Sequence, residues 1–376
     1  MSITLILHEA TRTGAPRVGG LIAKELARDE DVNVLVLKDG PLVPWLKELI
    51  GDDRITVCNS DEFEHTLPFE ERLRSASEAL AGCESDVVYV NSLAASVFVL
   101  AAKAQHRKTV LHVHERSAEM FSLLRHDVTK MEVMAVTDGV VLAANDLTSD
   151  ILDVFGLIPA ASHNFGIAIE IDTLRETARA EVEPARTAGG GVLSKGERLL
   201  VGMCGHASPR KGSDIFFETA EAMPDCDFVW IGGWEPAEAI ENTVYDAYMS
   251  KQLENLYVTG AVDNPYAHIG QLDLFFLSSR EDPNPLVLAE AMALHVPLLT
   301  FSKTTAVADR LGRTGILCHG LPNVPDVSRV LKACAPGKVR SESFRHLADE
   351  ALAEFDIKEK MKDVRSLVAR VRGVEA

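Results

Sequence analysis

The chain has 376 residues, 47% of them apolar and 25% charged, with a formal net charge of −18. That composition is of an ordinary globular protein and excludes disordered, collagenous and coiled-coil chains, while the length predicts two to three domains. The acid excess is −10 over residues 1–165 and −8 over the remainder, which excludes nucleic acid as a partner because binding a phosphate backbone needs a basic footprint.

No apolar run approaches the roughly 18 residues that a membrane-spanning helix requires. The opening Met1-Ser2-Ile3-Thr4-Leu5-Ile6-Leu7-His8-Glu9 has no basic n-region, so a cytoplasmic protein is expected. Six cysteines lie at 58, 83, 204, 226, 318 and 334 with no CxxC and no histidine at zinc-ligand spacing. They read as reduced, packed thiols, and no metal site is expected. The run Lys103-Ala104-Gln105-His106-Arg107-Lys108 reads as a solvated helix end, the alternative being a weak peripheral contact with an anionic lipid surface at the inner membrane face.

Short apolar runs alternate with helical patterns from the first residue. Strands are expected at Ile3–Leu7, Val32–Leu37, Ile55–Val57, Val87–Val90, Val110–His114 and Val140–Ala143. Helical periodicity lies between them at Leu21–Ala27, Phe69–Leu80 and Ala95–Ala104. From about Asn164 to Arg198 the pattern lapses around Ala188-Gly189-Gly190-Gly191, which reads as linker and surface loop. A second series follows at Leu199–Met203, Phe228–Ile231, Leu256–Val258, Leu272–Leu277, Pro297–Phe301 and Ile316–Cys318. An amphipathic helix is expected at Phe355–Val371. Alternation of this kind means βαβ units and parallel sheets, so the fold class is α/β with two Rossmann-like domains in tandem.

Ligands of open parallel sheets bind beyond the carboxyl ends of the strands, and four loops there carry candidate chemistry. In His8-Glu9-Ala10-Thr11-Arg12-Thr13-Gly14-Ala15-Pro16, Gly14 admits close backbone approach and Pro16 suits the start of a helix. The free amides would welcome a phosphate, and the alternative is a plain strand–helix turn. In Val110-Leu111-His112-Val113-His114-Glu115-Arg116, alternation puts His112 and His114 on one face, as a polar contact or as satisfied core imidazoles.

The third loop, Gly202 to Asp214, sets Arg210 and Lys211 just before Gly212 and a helix start. In physical terms that is a cradle for a diphosphate, or else a solvated pair. The fourth, Ser278 to Ala293, offers Asn284 as N-cap and Pro285 as first helical residue, before a helix that is apolar except for Glu290. A carboxylate in a buried helix needs hydrogen-bond donors, which sugar hydroxyls would supply. Asp282 and Glu290 then flank a helix N-terminus as a clamp for a polyhydroxylated phosphate ester. The Asp225-Cys226-Asp227 triplet precedes its strand, at the wrong end of the sheet for a metal-binding D-x-D, and reads as a turn.

These residues resemble glycosyltransferase family 4, the retaining nucleotide-sugar transferases of the GT-B fold, over nearly the whole chain. The carboxylate–x7–carboxylate motif is Asp282-x7-Glu290, followed by Ala291-Met292-Ala293. Arg210-Lys211-Gly212, Trp230-Ile231-Gly232-Gly233 and Gly260-Ala261-Val262-Asp263 also match, as do the Gly14 loop and His114-Glu115. Aspartate stands where the family usually has its first glutamate, and His206 where many members have arginine.

The resemblance implies two sheets facing across a cleft. An N-terminal acceptor domain would span 1–165 with a returning helix at 355–376, and a donor domain 166–354. It implies that Arg210 and Lys211 neutralise the donor diphosphate, that the Leu286 and Val287 amides hold it, and that Glu290 takes the ribose hydroxyls. Asp282 would take hydroxyls of the sugar, and Val262 would line the base. His114 would sit beside the anomeric centre, and the Gly14–Ala15 loop would approach the phosphate on domain closure. Gly232 and Asn284 complete the implied donor-binding set. The substrate would be a UDP- or GDP-type sugar, with no cofactor and no metal, and the acceptor a glycan or lipid-linked hydroxyl in surface-polysaccharide assembly. Rival readings are a GT-B sugar-nucleotide epimerase, a non-catalytic sugar-binding protein and a scaffold subunit.

Overall fold

A computed structural model describes all residues except 65, 127–129, 145–146, 195, 234–245, 248, 283, 306–313, 335–341 and 375–376. The chain divides into two compact units, Met1–Ala168 with Asp356–Ala376, and Ile169–Phe355.

In the first unit the strands are β1 (Ser2–Leu7), β2 (Asp31–Val36), β3 (Ile55–Val57), β4 (Val87–Asn91), β5 (Lys108–Val113), β6 (Gly139–Leu142) and β7 (Ser162–Asn164). They form a parallel sheet in the order β3-β2-β1-β4-β5-β6-β7. Ile3, Leu5, Ile6 and Leu7 of β1 and Val87 to Val90 of β4 have no exposed surface. A sheet covered on both faces by helices needs such continuous apolar runs. The helix Ile357–Arg372 packs on this unit: Arg365 Nη2 donates to the Glu25 carbonyl (2.6 Å), and Arg372 pairs with Glu30 (2.6 Å) and Asp86 (2.5 Å).

In the second unit the strands are β8 (Leu199–Cys204), β9 (Cys226–Ile231), β10 (Leu256–Val258), β11 (Leu274–Phe276), β12 (Leu298–Phe301) and β13 (Gly315–Cys318). Their order is β10-β9-β8-β11-β12-β13, again parallel. Its core is aromatic, with the Phe216 ring centroid 5.6 Å from Phe228, 5.4 Å from Trp230 and 6.1 Å from Phe276.

Three expectations change. The segment read as linker contains the end of β7 and a helix at Ile171–Thr177. Its glycine run closes a turn in which Thr187 N–H donates to the Gly191 carbonyl (2.8 Å), and Arg186 bridges antiparallel to Val258. This stretch therefore covers the β10 edge, which would otherwise expose unpaired backbone groups. The helix expected at Ala95–Ala104 is a 3₁₀ turn at Leu93–Ala95 followed by a helix at Val97–Ala104. Cys226 and Asp227 open β9 instead of forming a turn, and the buried Asp227 pairs with Arg198 at 3.4 Å.

Candidate active site

Each sheet reverses its strand order once, between β1 and β4 in the first unit and between β8 and β11 in the second. Such switch points leave a crevice at the strand ends where ligands of doubly wound sheets bind. The candidate residues cluster there.

In the second unit the loop after β8 and the loop after β11 are stitched together. Ser278 Oγ donates to the Lys211 carbonyl (2.9 Å), and Arg280 N–H donates to the Arg210 carbonyl (2.8 Å). The Arg280 guanidinium bonds Asp214 with both Nη atoms, at 2.8 and 2.6 Å. Burial alone would raise the Asp214 carboxyl, and the Arg280 hydrogen bonds override it and hold the carboxyl below its usual range. Gly212 makes this close approach feasible. Its φ is +66°, and a Cβ there would stand 2.0 Å from the Ser278 carbonyl oxygen.

Arg210, Lys211 and Asp282 meet at this junction. Lys211 Nζ donates to Asp282 Oδ2, Ser279 Oγ donates to the same oxygen (3.3 Å), and Arg210 Nη1 lies 3.8 Å from Oδ1. Asp282 is 7% exposed. The Lys211 side chain is 16% exposed and that of Arg210 is 56% exposed. Arg210 also donates to the Glu281 carbonyl (3.1 Å).

The helix Leu286–Ala293 begins with Pro285 as N-cap, one residue later than expected. Pro285 has φ −72° and ψ 105°, an extended geometry that suits the capping position, so Asn284 stands outside the helix. No side chain caps the first-turn amides here, nor those of the helix Ser213–Ala222 behind Gly212. By contrast the helices starting at Pro265, Val324 and Ile357 are capped by Asn264, Asn323 and Asp356. Leu286 is partly exposed and Val287 buried at this uncapped end. Glu290 is 3% exposed and accepts a hydrogen bond from Tyr266 Oη (3.2 Å), so the protein itself supplies a donor that the sequence reading assigned to a ligand. Gly232 follows β9 and donates its N–H to Thr259 Oγ1 (3.1 Å), and Val262 is partly buried in the loop after β10.

In the first unit Gly14 begins the helix Gly14–Leu26 behind an N-cap, Thr13, that makes no side-chain capping bond. β5 ends at Val113, so His114 sits just beyond the strand. Its ring stacks on that of His112 at 4.1 Å, which puts both on one side as alternation predicts. His114 Nε2 faces Asn91 Oδ1 (3.0 Å), and Asn91 Nδ2 donates to the Ala15 carbonyl (2.9 Å). Glu115 accepts from the His114 N–H (3.0 Å) and from Ser92 Oγ. Desolvation pushes His114 down to about 4, with Glu115 acting upward and His8 downward. Burial, then the neighbouring His114 and His163, drive the fully buried His112 well below its ordinary value.

Sequence reasoning missed Asn91, Ser92, Tyr266, Ser278, Arg280 and Asp214 as parts of these networks. None stands in a motif with a local signature, and each partner is distant along the chain. Only the strand order would have pointed to Asn91, the residue that ends β4 beside Leu7 of β1. The basic run at 103–108 is engaged within the fold. Lys103 (2.9 Å) and Lys108 (3.3 Å) pair with Asp138, and Arg107 donates to the Cys83 (2.7 Å) and Leu80 (3.0 Å) carbonyls. Among the described residues no helix is long and apolar enough to cross a membrane.

Two parallel Rossmann-like units make this a GT-B fold, and solved structures agree over the whole chain. Anabaena Alr3699/HepE in complex with UDP superimposes with a TM-score of 0.77 at 17% identity, covering 98% of this chain and 100% of that one. Sucrose-phosphate synthase (tll1590) from Thermosynechococcus elongatus gives 0.74 at 14% identity, covering 99% of each chain. Residues 198–329, which hold the β8 and β11 loops, match the family described as Glycosyl transferases group 1. Alpha-galactosylglucosyldiacylglycerol synthase of Streptococcus pneumoniae (strain ATCC BAA-255 / R6) is 31% identical over 112 residues, 28% of this chain. The match spans 29% of the length of that relative.

Proposed function

We propose that this protein is a retaining glycosyltransferase that moves a sugar from a nucleoside-diphosphate donor of the UDP or GDP type to an acceptor hydroxyl. The observation that carries the reading is the convergence of Arg210, Lys211 and Asp282 at the second unit's switch point, between two helix N-termini without side-chain caps. Cations and free amides together are a diphosphate site. That this segment matches Glycosyl transferases group 1 supports the reading.

Arg210 and Lys211 then neutralise the diphosphate, and the Leu286 and Val287 amides hold it. Glu290 takes the ribose hydroxyls with Tyr266 steadying its carboxylate, while Val262 and Gly232 line the base side. Asp282 serves hydroxyls of the donor sugar. In the reaction the bond from the anomeric carbon to the phosphate oxygen breaks, its electron pair going to the departing phosphate. The acceptor oxygen bonds the anomeric carbon on the same face, and its proton passes to the phosphate oxygen. Fixed cations stabilise the developing charge, so the reaction is proposed to be metal-independent. His114 and the Gly14–Ala15 loop belong to the acceptor half, and a glycan or lipid-linked hydroxyl in surface-glycan synthesis is the acceptor class proposed. The UDP and UDP-glucose in Anabaena Alr3699/HepE favour a UDP donor.

A thermal-shift series with UDP, GDP, ADP and TDP tests the site, since a ligand at 100 times its Kd adds about 2.7 kcal/mol. Product analysis with and without acceptor then separates transfer from epimerisation, and anomeric NMR signals report retention. No stabilisation by any of the four nucleotides refutes the reading. Activity lost in excess EDTA and restored by magnesium or manganese refutes metal independence.

A further inference from the structure

Asn91 is the last residue of β4 and has no exposed surface. Its Nδ2 donates to the Ala15 carbonyl (2.9 Å), and its Oδ1 faces His114 Nε2 (3.0 Å). A backbone carbonyl only accepts, so chemistry dictates which end of the amide points at Ala15. The other end, Oδ1, is also acceptor-only, and His114 Nε2 must therefore carry the hydrogen. A neutral imidazole with hydrogen on Nε2 keeps its lone pair on Nδ1.

The surroundings hold this arrangement. The helix Gly14–Leu26 comes so close that a Cβ on Gly19 would stand 2.8 Å from Asn91 Nδ2 and 2.5 Å from Leu7 Cδ2. The His112 ring covers one face of His114. The charged or titratable groups near the imidazole are Glu115, His112 and His8, and the Glu115 carboxylate is engaged by Ser92 Oγ and the His114 N–H.

We propose that Asn91 is a positioning residue that locks His114 in the Nε2–H tautomer, so that Nδ1 acts toward the substrate as a hydrogen-bond acceptor for a hydroxyl. The tautomer follows from the amide's two bonds alone, while the sugar hydroxyl as its partner rests on the transferase reading above. The same amide ties the imidazole to the first turn of the helix Gly14–Leu26, so its loss disturbs ring and loop together.

Long-range proton–nitrogen NMR of the full-length protein, with the histidines labelled and His114 assigned from a His114→Gln spectrum, reads the tautomer without substrate. The expected signal is Nε2–H with an unprotonated Nδ1. Asn91→Asp keeps the shape and puts a carboxylate against the ring, raising the His114 titration midpoint by about one to three pH units. Asn91→Ser removes both bonds, leaves a mixture of tautomers, and lowers kcat roughly 10²-fold with donor KM little changed. Gly19→Ala, which touches the amide and not the ring, gives the same mixed spectrum. An Nδ1–H tautomer in the unmodified protein, an unmoved titration in Asn91→Asp, or unchanged kcat in Asn91→Ser overturns the proposal. Absence of transfer by the unmodified protein counts against the transferase reading instead, and the spectra still decide the tautomer.

Discussion

The two units use one topology for opposite electrostatics. At the second unit's switch point the polar groups are ionic: Lys211 on Asp282, Arg210 beside them, and Arg280 forked onto Asp214. At the first unit's switch point the groups nearest the candidate ring are neutral: His114 on the Asn91 amide, His112 on Tyr89, both imidazoles pushed toward the uncharged form by burial. The contrast suits a division of labour in which a departing diphosphate needs fixed charge and a hydroxyl-bearing partner needs directional hydrogen bonds. It also means that the two sites fail differently when altered.

The largest effect is expected at Lys211. Lys211→Ala removes the cation nearest Asp282 and should lower kcat about 10²–10³-fold, the usual cost of losing one preorganised charge-stabilising group. It also strands a buried carboxylate, so the melting temperature falls as well. Lys211→Ala with Asp282→Asn recovers stability without activity, and steady-state kinetics with melting curves on both variants read this. If the single variant turns over normally, the ionic half of the comparison is wrong.

Next comes Glu290→Gln, which keeps an oxygen for Tyr266 and loses the charge. Nucleotide binding by calorimetry should weaken by about 1.5–3 kcal/mol, the value of hydrogen bonds to a charged group, with the fold unchanged. Equal affinity would remove Glu290 from the ribose site.

The neutral site predicts a pH signature of smaller size. His114 has a folded value of about 4 against an ordinary 6.5, so between those pH values the unfolded chain binds more protons. Stability is then full above pH 6.5, falls as the pH drops toward 4, and falls no further below it on this account. After a discount for partial solvent screening the loss is about 2 kcal/mol. Melting curves across that range check it, and His114→Gln should flatten the slope.

The smallest effect is expected for the stability of Arg210→Ala. The side chain is mostly exposed and its pair distance is 3.8 Å, so the change should stay within about 0.5 kcal/mol. A large drop in melting temperature would mean that Arg210 holds the loops together, a task the geometry gives to Arg280.

Much of this was legible along the chain. The strands at Ile55–Val57 and Leu256–Val258 lie where the apolar runs place them, and the others shift by a residue or two at their ends. Buried parallel strands and amphipathic helices carry their periodicity in consecutive residues, so no distant partner is needed to recognise them. Arg210-Lys211-Gly212 and Asp282-x7-Glu290 were legible for the same reason: residue type and spacing sit within one loop or one helix. The segment 164–198 was misread because its glycine turn is ordered by an antiparallel bridge to β10, a partner about 70 residues on. Asn284 was misread as a cap because the competition between it and Pro285 is settled by backbone geometry.

What the amino-acid order determined by itself was therefore the α/β class, the tandem division and the chemical identity of the candidate groups. Tertiary structure alone decided which of them meet. Strand order brought the loops after β8 and β11 together, so that Lys211 found Asp282 across 71 positions. It likewise brought the ends of β1, β4 and β5 together, so that Asn91 could bond Ala15 and His114 at once. The physical reason is that hydrogen bonds and ion pairs act over a few ångströms, and only the folded sheet converts distance along the chain into contact.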